Sequence, residues 1–287
     1  ICMANCPFGP IADKSQFFQL IRALRRGDSI VAEVAPAYVG QFGDKATPGK
    51  LKAALMELGF KDVFEVALGA DIGAATEAEH YAEKVATGEQ PFMLTSCCPA
   101  WAMLIRRYFP ESADKISNTL TPMVATARTI KKKYPDSRVV FIGPCAAKKL
   151  EASRRSVRSD VDFVITFEEL SAIFEAKGMD FETFDKTADM NDATGAGRGY
   201  AVAGGVAGAI EKCVAAYHPE VKVDIQHVEG LEDCRKILLL AKMGKLNGAL
   251  IEGMGCPGGC VAGAGTNIPI ARASALVKKT VDSSSQQ

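Results

Sequence analysis

Five cysteines fall in three short segments whose composition suits soft-metal chemistry: Cys97 and Cys98 in TSCCPAW, Cys145 in FIGPCAAKK, and Cys256 and Cys260 in EGMGCPGGC. Only Pro257, Gly258 and Gly259 separate the last two, a spacing that can aim both sulfurs at one object. Glycine lacks the β-carbon that would keep a bulky ligand away from the backbone. Thiolates are soft ligands for zinc, copper(I) or iron–sulfur clusters, so Cys256 and Cys260 read as half of a metal site whose other half lies elsewhere.

Hydrophobic periodicity supplies the elements that must position these thiols. It predicts helices over residues 14–26, 48–58, 76–87, 99–109, 122–134, 166–177 and 231–242, with another that follows the glycine-rich stretch 195–208 and ends near Tyr217. Strands are predicted over 29–34, 62–68, 92–95, 138–142, 163–166, 221–228 and 249–252. Thr47-Pro48 is a helix start, and Thr166 with Glu169 forms a capping box. Strands that alternate with helices imply an α/β fold with mainly parallel sheet flanked by helices. All three cysteine segments come just after a predicted strand, and ligands gather at the carboxyl ends of strands in such sheets. Three loops can therefore meet at one site.

At 287 residues the chain forms one domain or two closely packed lobes. Lys+Arg and Asp+Glu both number 34, a balance that gives no reason to expect nucleic acid or an anionic membrane as partner. There is no apolar run of eighteen residues and no signal peptide, so no membrane span and a cytoplasmic location are expected. Nine cysteines in a chain of this length point to metal binding in a reducing compartment and away from a disulfide scaffold. Cys2 and Cys6, followed by Pro7, look like the tail of a C-x-x-C-x-x-x-C-P cluster motif. Residues 1–13 thus read as the remnant of a ferredoxin-like segment with further ligands upstream, and 14–287 as the main domain. Cys213 and Cys234 lie inside predicted helices and read as buried thiols, and His218 and His227 as structural.

In order, spacing and chemistry, the three cysteine segments resemble the signature motifs of the FeFe-hydrogenases. VAPA at 34–37, LGAD at 68–71 and TGAG at 194–197 extend the resemblance over almost the whole chain. It implies two lobes of mainly parallel sheet with the cluster between them. It also implies a 4Fe-4S cubane on Cys98, Cys145, Cys256 and Cys260, bridged by Cys260 to a two-iron unit with carbonyl, cyanide and dithiolate ligands. A structural zinc on four cysteines is the plainer soft-metal reading, although zinc sites usually draw on paired C-x-x-C knuckles. The resemblance makes Lys148 a cation for a cyanide of the two-iron unit and places Met254, Pro144, Ala35 and Pro36 around the cluster. Taken alone, Lys148 would be a solvated lysine and Met254 core filler.

The resemblance further makes Cys97 the thiol that passes protons to and from the metal, followed by Glu77 and Ser117, with His80 and Lys84 standing where an outer glutamate and arginine would be. Several positions depart from the pattern: Gly143 for a methionine, Ala146 for a threonine, Ala37 for a frequent serine, and Gly253 and Gly255 for bulkier residues. These departures imply a looser, less polar pocket and a divergent branch. The implied function is reversible interconversion of H2 with protons and electrons at modest rate. Partners would be maturation proteins and either a ferredoxin-like electron donor or an upstream cluster domain, the latter joined through an accessory 4Fe-4S cluster at Cys2 and Cys6. The alternatives are a hydrogen sensor that signals to a partner and an iron–sulfur assembly protein without the two-iron unit.

Overall fold

The structure is a computed structural model and describes residues 14–185, 190 and 193–284; Cys2 and Cys6 lie outside the described residues. Among the described residues, seven strands form two separate parallel sheets: β1 (Ile30–Val34), β2 (Asp62–Glu65), β3 (Met93–Leu94), β4 (Arg138–Gly143), β5 (Phe163–Thr166), β6 (Asp224–Glu229) and β7 (Ala249–Met254). The first sheet has the order β2-β1-β4-β5 and the second β3-β7-β6. The described helices are α1 (Phe17–Arg25), α2 (Pro48–Glu57), α3 (Ala67–His80), α4 (Pro99–Tyr108), α5 (Pro122–Lys133), α6 (Ala147–Ala152), α7 (Phe167–Ala176), α8 (Gly195–Gly199), α9 (Gly205–Tyr217), α10 (Leu231–Lys242) and α11 (Ile270–Asp282). The expected α/β architecture in two lobes is what is found.

Local chemistry explains the well-placed elements. Thr47 caps α2 through its hydroxyl, with Pro48 in the first turn, and Thr166 and Glu169 make the reciprocal bonds of the capping box at α7. The buried strand β1 is apolar throughout except for Glu33, as suits a strand with covered faces. In β7 the alternation sorts two cores. Ala249 and Ile251 pack with Trp101 and Ile105 of α4, while Leu250 and Met254 pack with α3 and α9.

Several expected boundaries move. The strand expected over 62–68 stops at Glu65, and α3 begins at Ala67, nine residues ahead of the helix expected from 76. Val66 and Leu68 carry local β character, but a close helix contact overrides it: a β-carbon on Gly69 would lie 2.3 Å from the Pro122 carbonyl oxygen at the start of α5. The expected helix over 76–87 instead continues α3 as a π-helical turn, Tyr81–Val85, fixed where the Tyr81 hydroxyl donates to the Gly248 carbonyl at 2.7 Å. β6 starts at Asp224 because residues 221–223 do not pair. Helices α6, α8 and α11 are not among the expected elements; α6 follows the Cys145 loop, and α11 packs against α8 and the turn Cys260–Ala262.

Candidate metal centre

The three cysteine segments converge at the carboxyl ends of both sheets. Cys97 and Cys98 follow β3, with Cys98 preceding Pro99 at the start of α4; Cys145 sits between β4 and α6; Cys256 and Cys260 follow β7. All five line one cavity of about 180 Å³, together with Ala35, Pro36, Pro144, Lys148 and Met254. Ten positions singled out in the sequence thus meet at one place. Among the described residues, no three Cys, His, Asp or Glu side chains converge closely enough to share a single ion. Cys98, Cys145, Cys256 and Cys260 line one cavity, and four soft thiolates are the donor set an iron–sulfur cluster takes, so the residues present fit the implied group.

The thiols are tuned by burial. It pushes Cys145 up, partly offset by the Lys148 charge, takes Cys256 to about 11, and raises Cys260 further. Each of these three also feels the negative charge of its cysteine neighbours. These three thiols hold their protons at neutral pH, so metal uptake must release them. The Gly255 N–H donates to Cys98 Sγ at 3.4 Å, the kind of bond that steadies a ligating sulfur.

Lys148 is not the solvated lysine that composition alone suggests; it is only 8% exposed. Burial would lower its pKa, but the charge and hydrogen bond of Glu151 outweigh that and raise it. Its Nζ donates to Glu151 Oε2 at 2.6 Å and to the Cys97 carbonyl at 3.3 Å, and the Thr121 hydroxyl donates to the other oxygen of Glu151 at 2.7 Å. A cation is thereby held against the cavity wall. Glu33, on the inner strand β1 of the first sheet, is fully buried with neither oxygen hydrogen-bonded. Burial lifts its pKa well above the carboxylate range against the pull of Lys148. The sequence reading missed Glu33 and Glu151. An acid inside the apolar run IVAEVA and a glutamate three residues after Lys148 were the available signals.

The expected proton path is only partly assembled. Cys97 is half-buried, and desolvation of its thiol together with the charge of Glu77 raises its pKa well above the usual thiol value. Glu77, buried on α3, is lifted to about 7 by desolvation, against hydrogen bonding from Ser117 and Ser96. Its Oε1 has no partner. Ser117 is buried, its backbone N–H donating to the Leu94 carbonyl at 2.8 Å. Beyond Ser117 the expected chain breaks: His80 pairs with Gln90 at 3.3 Å and Lys84 with Glu89 at 2.6 Å, and neither bonds to Ser117.

The glycines act differently from expectation. Gly253 does not loosen the cavity, because a β-carbon there would lie 2.2 Å from the Trp101 ring, which fills the space. Likewise Gly143 is covered by Phe141 at 2.4 Å and Gly255 by Ala100 at 2.7 Å. Among the five departures only Ala146 and Gly255 line the cavity. In the cysteine loop, Gly259 has φ +87° and a β-carbon there would lie 2.6 Å from the Ala203 backbone nitrogen, so the room it makes is taken by protein backbone. Gly253→Val should therefore overpack the core around Trp101 and lower unfolding free energy by about 1–3 kcal/mol in denaturant titration. Unchanged stability would mean that the Trp101 contact is not tight.

Other residues fall outside the cavity. Cys234 is buried, as expected, with Sγ 3.5 Å from the Met254 carbonyl, but Cys213 is only half-buried because α9 turns that side partly to solvent. His218 contacts Glu79 at 3.0 Å, while His227 sits on β6 in register with Glu252. Glu252, which the site reading passed over, receives the Gly204 and Ala207 N–H groups at the start of α9, both at 2.8 Å, and so ties β7 to that helix. LGAD and TGAG also meet, with the Thr194 hydroxyl donating to Asp71 at 2.6 Å.

The family model for the C-terminal domain of the iron only hydrogenase large subunit matches residues 28–264. The NADP-reducing hydrogenase subunit HndD of Solidesulfovibrio fructosivorans is 29% identical over 320 residues, covering 92% of this chain and 54% of that protein. The cytosolic Fe-S cluster assembly factor NAR1 of Kluyveromyces lactis is 31% identical over 102 residues, 36% of this chain and 22% of its own. The chain spans about half the length of the first curated relatives it matches. In fold it is similar to a glutamate-to-glutamine variant of FeFe-hydrogenase HydA1 from Chlamydomonas reinhardtii, with a TM-score of 0.76 at 20% identity over 95% of this chain and 90% of that one. Among the described residues no helix is long and apolar enough to cross a membrane.

Proposed function

This chain belongs to the iron-only hydrogenase family, matching the C-terminal domain of its large subunit, and from that premise we propose that it interconverts H2 with protons and electrons at a modest rate. The observation that carries the reading is the joining, on one apolar cavity, of Cys98, Cys145, Cys256 and Cys260 with the buried cation of Lys148 and the separate thiol of Cys97. The thiolates of Cys98, Cys145, Cys256 and Cys260 would hold a 4Fe-4S cubane, and Cys260 would also help to hold the two-iron unit. The bound group would supply the redox chemistry of hydrogen. The chain's own residues do the rest. Lys148, kept charged by Glu151, donates a charge-assisted hydrogen bond to an anionic ligand in the cavity. Ala35, Pro36, Pro144 and Met254 exclude water. Cys97 Sγ holds and delivers a proton, which Glu77 restores from the side of Ser117. Electrons would come from a ferredoxin-like partner or an upstream cluster domain, and the two-iron unit from maturation proteins.

A hydrogen-sensing role is the second reading. It is favoured by His80 and Lys84, which bond to Gln90 and Glu89 and leave the outer proton path unjoined. The experiment is anaerobic loading with the two-iron unit, then an infrared spectrum and a hydrogen assay. Metal-bound carbonyl and cyanide bands with turnover support catalysis. The bands with only trace turnover support sensing. No bands despite a full cubane would overturn both in favour of an assembly-type protein.

A further inference from the structure

Two buried polar atoms beside the cavity have no partner, and they have opposite hydrogen-bonding character. Glu77 Oε1 is one and Tyr200 Oη the other. Tyr200 is only 6% exposed and follows α8, and its ring helps to line the cavity. It packs in one cluster with Ala70, Ala74 and Ala78 of α3 and with Cys97 and Met254. Glu77 lies three residues after Ala74 and seven after Ala70, hence on the same face of α3. A buried phenol normally finds an acceptor, and a buried carboxylate needs donors, so leaving both unmatched costs free energy that pairing them would recover.

We propose that Tyr200 is a positioning residue for Glu77: its hydroxyl donates to Glu77 Oε1 when that carboxyl is ionised and so holds the carboxylate at the Cys97 end of the proton path. A tyrosine hydroxyl suits this role because Glu77 Oε1 can then keep its acceptor site filled while the other oxygen exchanges a proton. The groups facing Glu77 are Cys97 after β3, Glu252 on β7 and the hydroxyls of Ser96 and Ser117. Those facing Tyr200 are Glu77, Cys97, Cys213 on α9 and Glu252. All the ionisable neighbours are acidic, so Tyr200 keeps its proton and acts as a donor. No sequence motif marks Tyr200; it lies after TGAG, and only the packing of α8 on α3 brings it to this place. The functional part of this inference rests on the hydrogenase reading, but the proposed hydrogen bond itself does not.

The test follows the infrared band of the protonated Glu77 carboxyl through a pH titration of the full chain, with the band assigned by its loss in Glu77→Gln. Tyr200→Phe keeps the ring and removes only the donor. A donor to the ionised form favours it, so the variant should hold the proton to higher pH, by about one unit or tenfold in the protonation equilibrium. The pH profile of hydrogen turnover should move the same way. An unchanged band midpoint in Tyr200→Phe overturns the proposal, whatever the activity does. The band can be read with or without the two-iron unit. A shift in the band from protein that shows no carbonyl or cyanide bands after loading would keep the Tyr200–Glu77 contact and overturn the hydrogenase reading instead.

Discussion

Cys145→Ala should lower bound iron by at least about tenfold after anaerobic reconstitution with iron and sulfide, while Cys234→Ala retains it. Cys145 lines the cavity with the other three ligand candidates, between strand β4 and the helix that carries Lys148. A cubane needs a thiolate at each corner it presents to protein, and the alanine leaves one corner to a solvent molecule. Cys234 is a buried thiol that faces the Met254 carbonyl, outside the cavity, and so controls for loss of a thiol in general. Iron and labile sulfide are to be measured per chain. Full iron in Cys145→Ala would require a different ligand set. One zinc per chain with no iron would restore the simpler four-cysteine reading.

Cys97→Ala is expected to remove at least about 99% of hydrogen turnover with iron content unchanged, the scale on which a positioned acid or base contributes. Cys97 shares the cavity but is set apart from the ligands by its role: its carbonyl accepts from Lys148, and its thiol is kept protonated by burial and by the charge of Glu77. A protonated thiol can give its proton and recover it from Glu77, whose pKa near 7 lets it work in both directions around neutrality. Alanine removes the carrier without opening a large hole. Turnover equal to the parent protein, at equal iron and with equal infrared bands, would place proton delivery elsewhere. Loss of iron along with turnover would make Cys97 structural.

Both expectations rest on positions visible in the chain before any folding is considered. The ligand candidates stand in short segments after predicted strands, and parallel α/β topology brings such loops to one end of a sheet. Cys98, Cys145, Cys256 and Cys260 do meet at one cavity, because their placement depends on local order and a general rule of sheet topology. Free space around the site is not legible in the motifs. Gly143, Gly253 and Gly255 stand for larger residues and suggested a loose pocket, yet Phe141, Trp101 and Ala100 fill the room they leave. Such filling depends on side chains from other elements and cannot be read from a motif.

The sequence by itself determined the thiol inventory, the alternation of strands and helices, the caps of α2 and α7, and the family to which the motifs point. Only the tertiary structure decided that α3 begins at Ala67, that Lys148 is a buried cation held by Glu151, that His80 and Lys84 turn to other partners, and that Tyr200 packs with Cys97 against the α3 face that carries Glu77. Caps, strand patterns and cysteine spacings are set by residues within a few positions of one another. Burial, charge state and the room beside a glycine are set by whatever the rest of the chain brings against them.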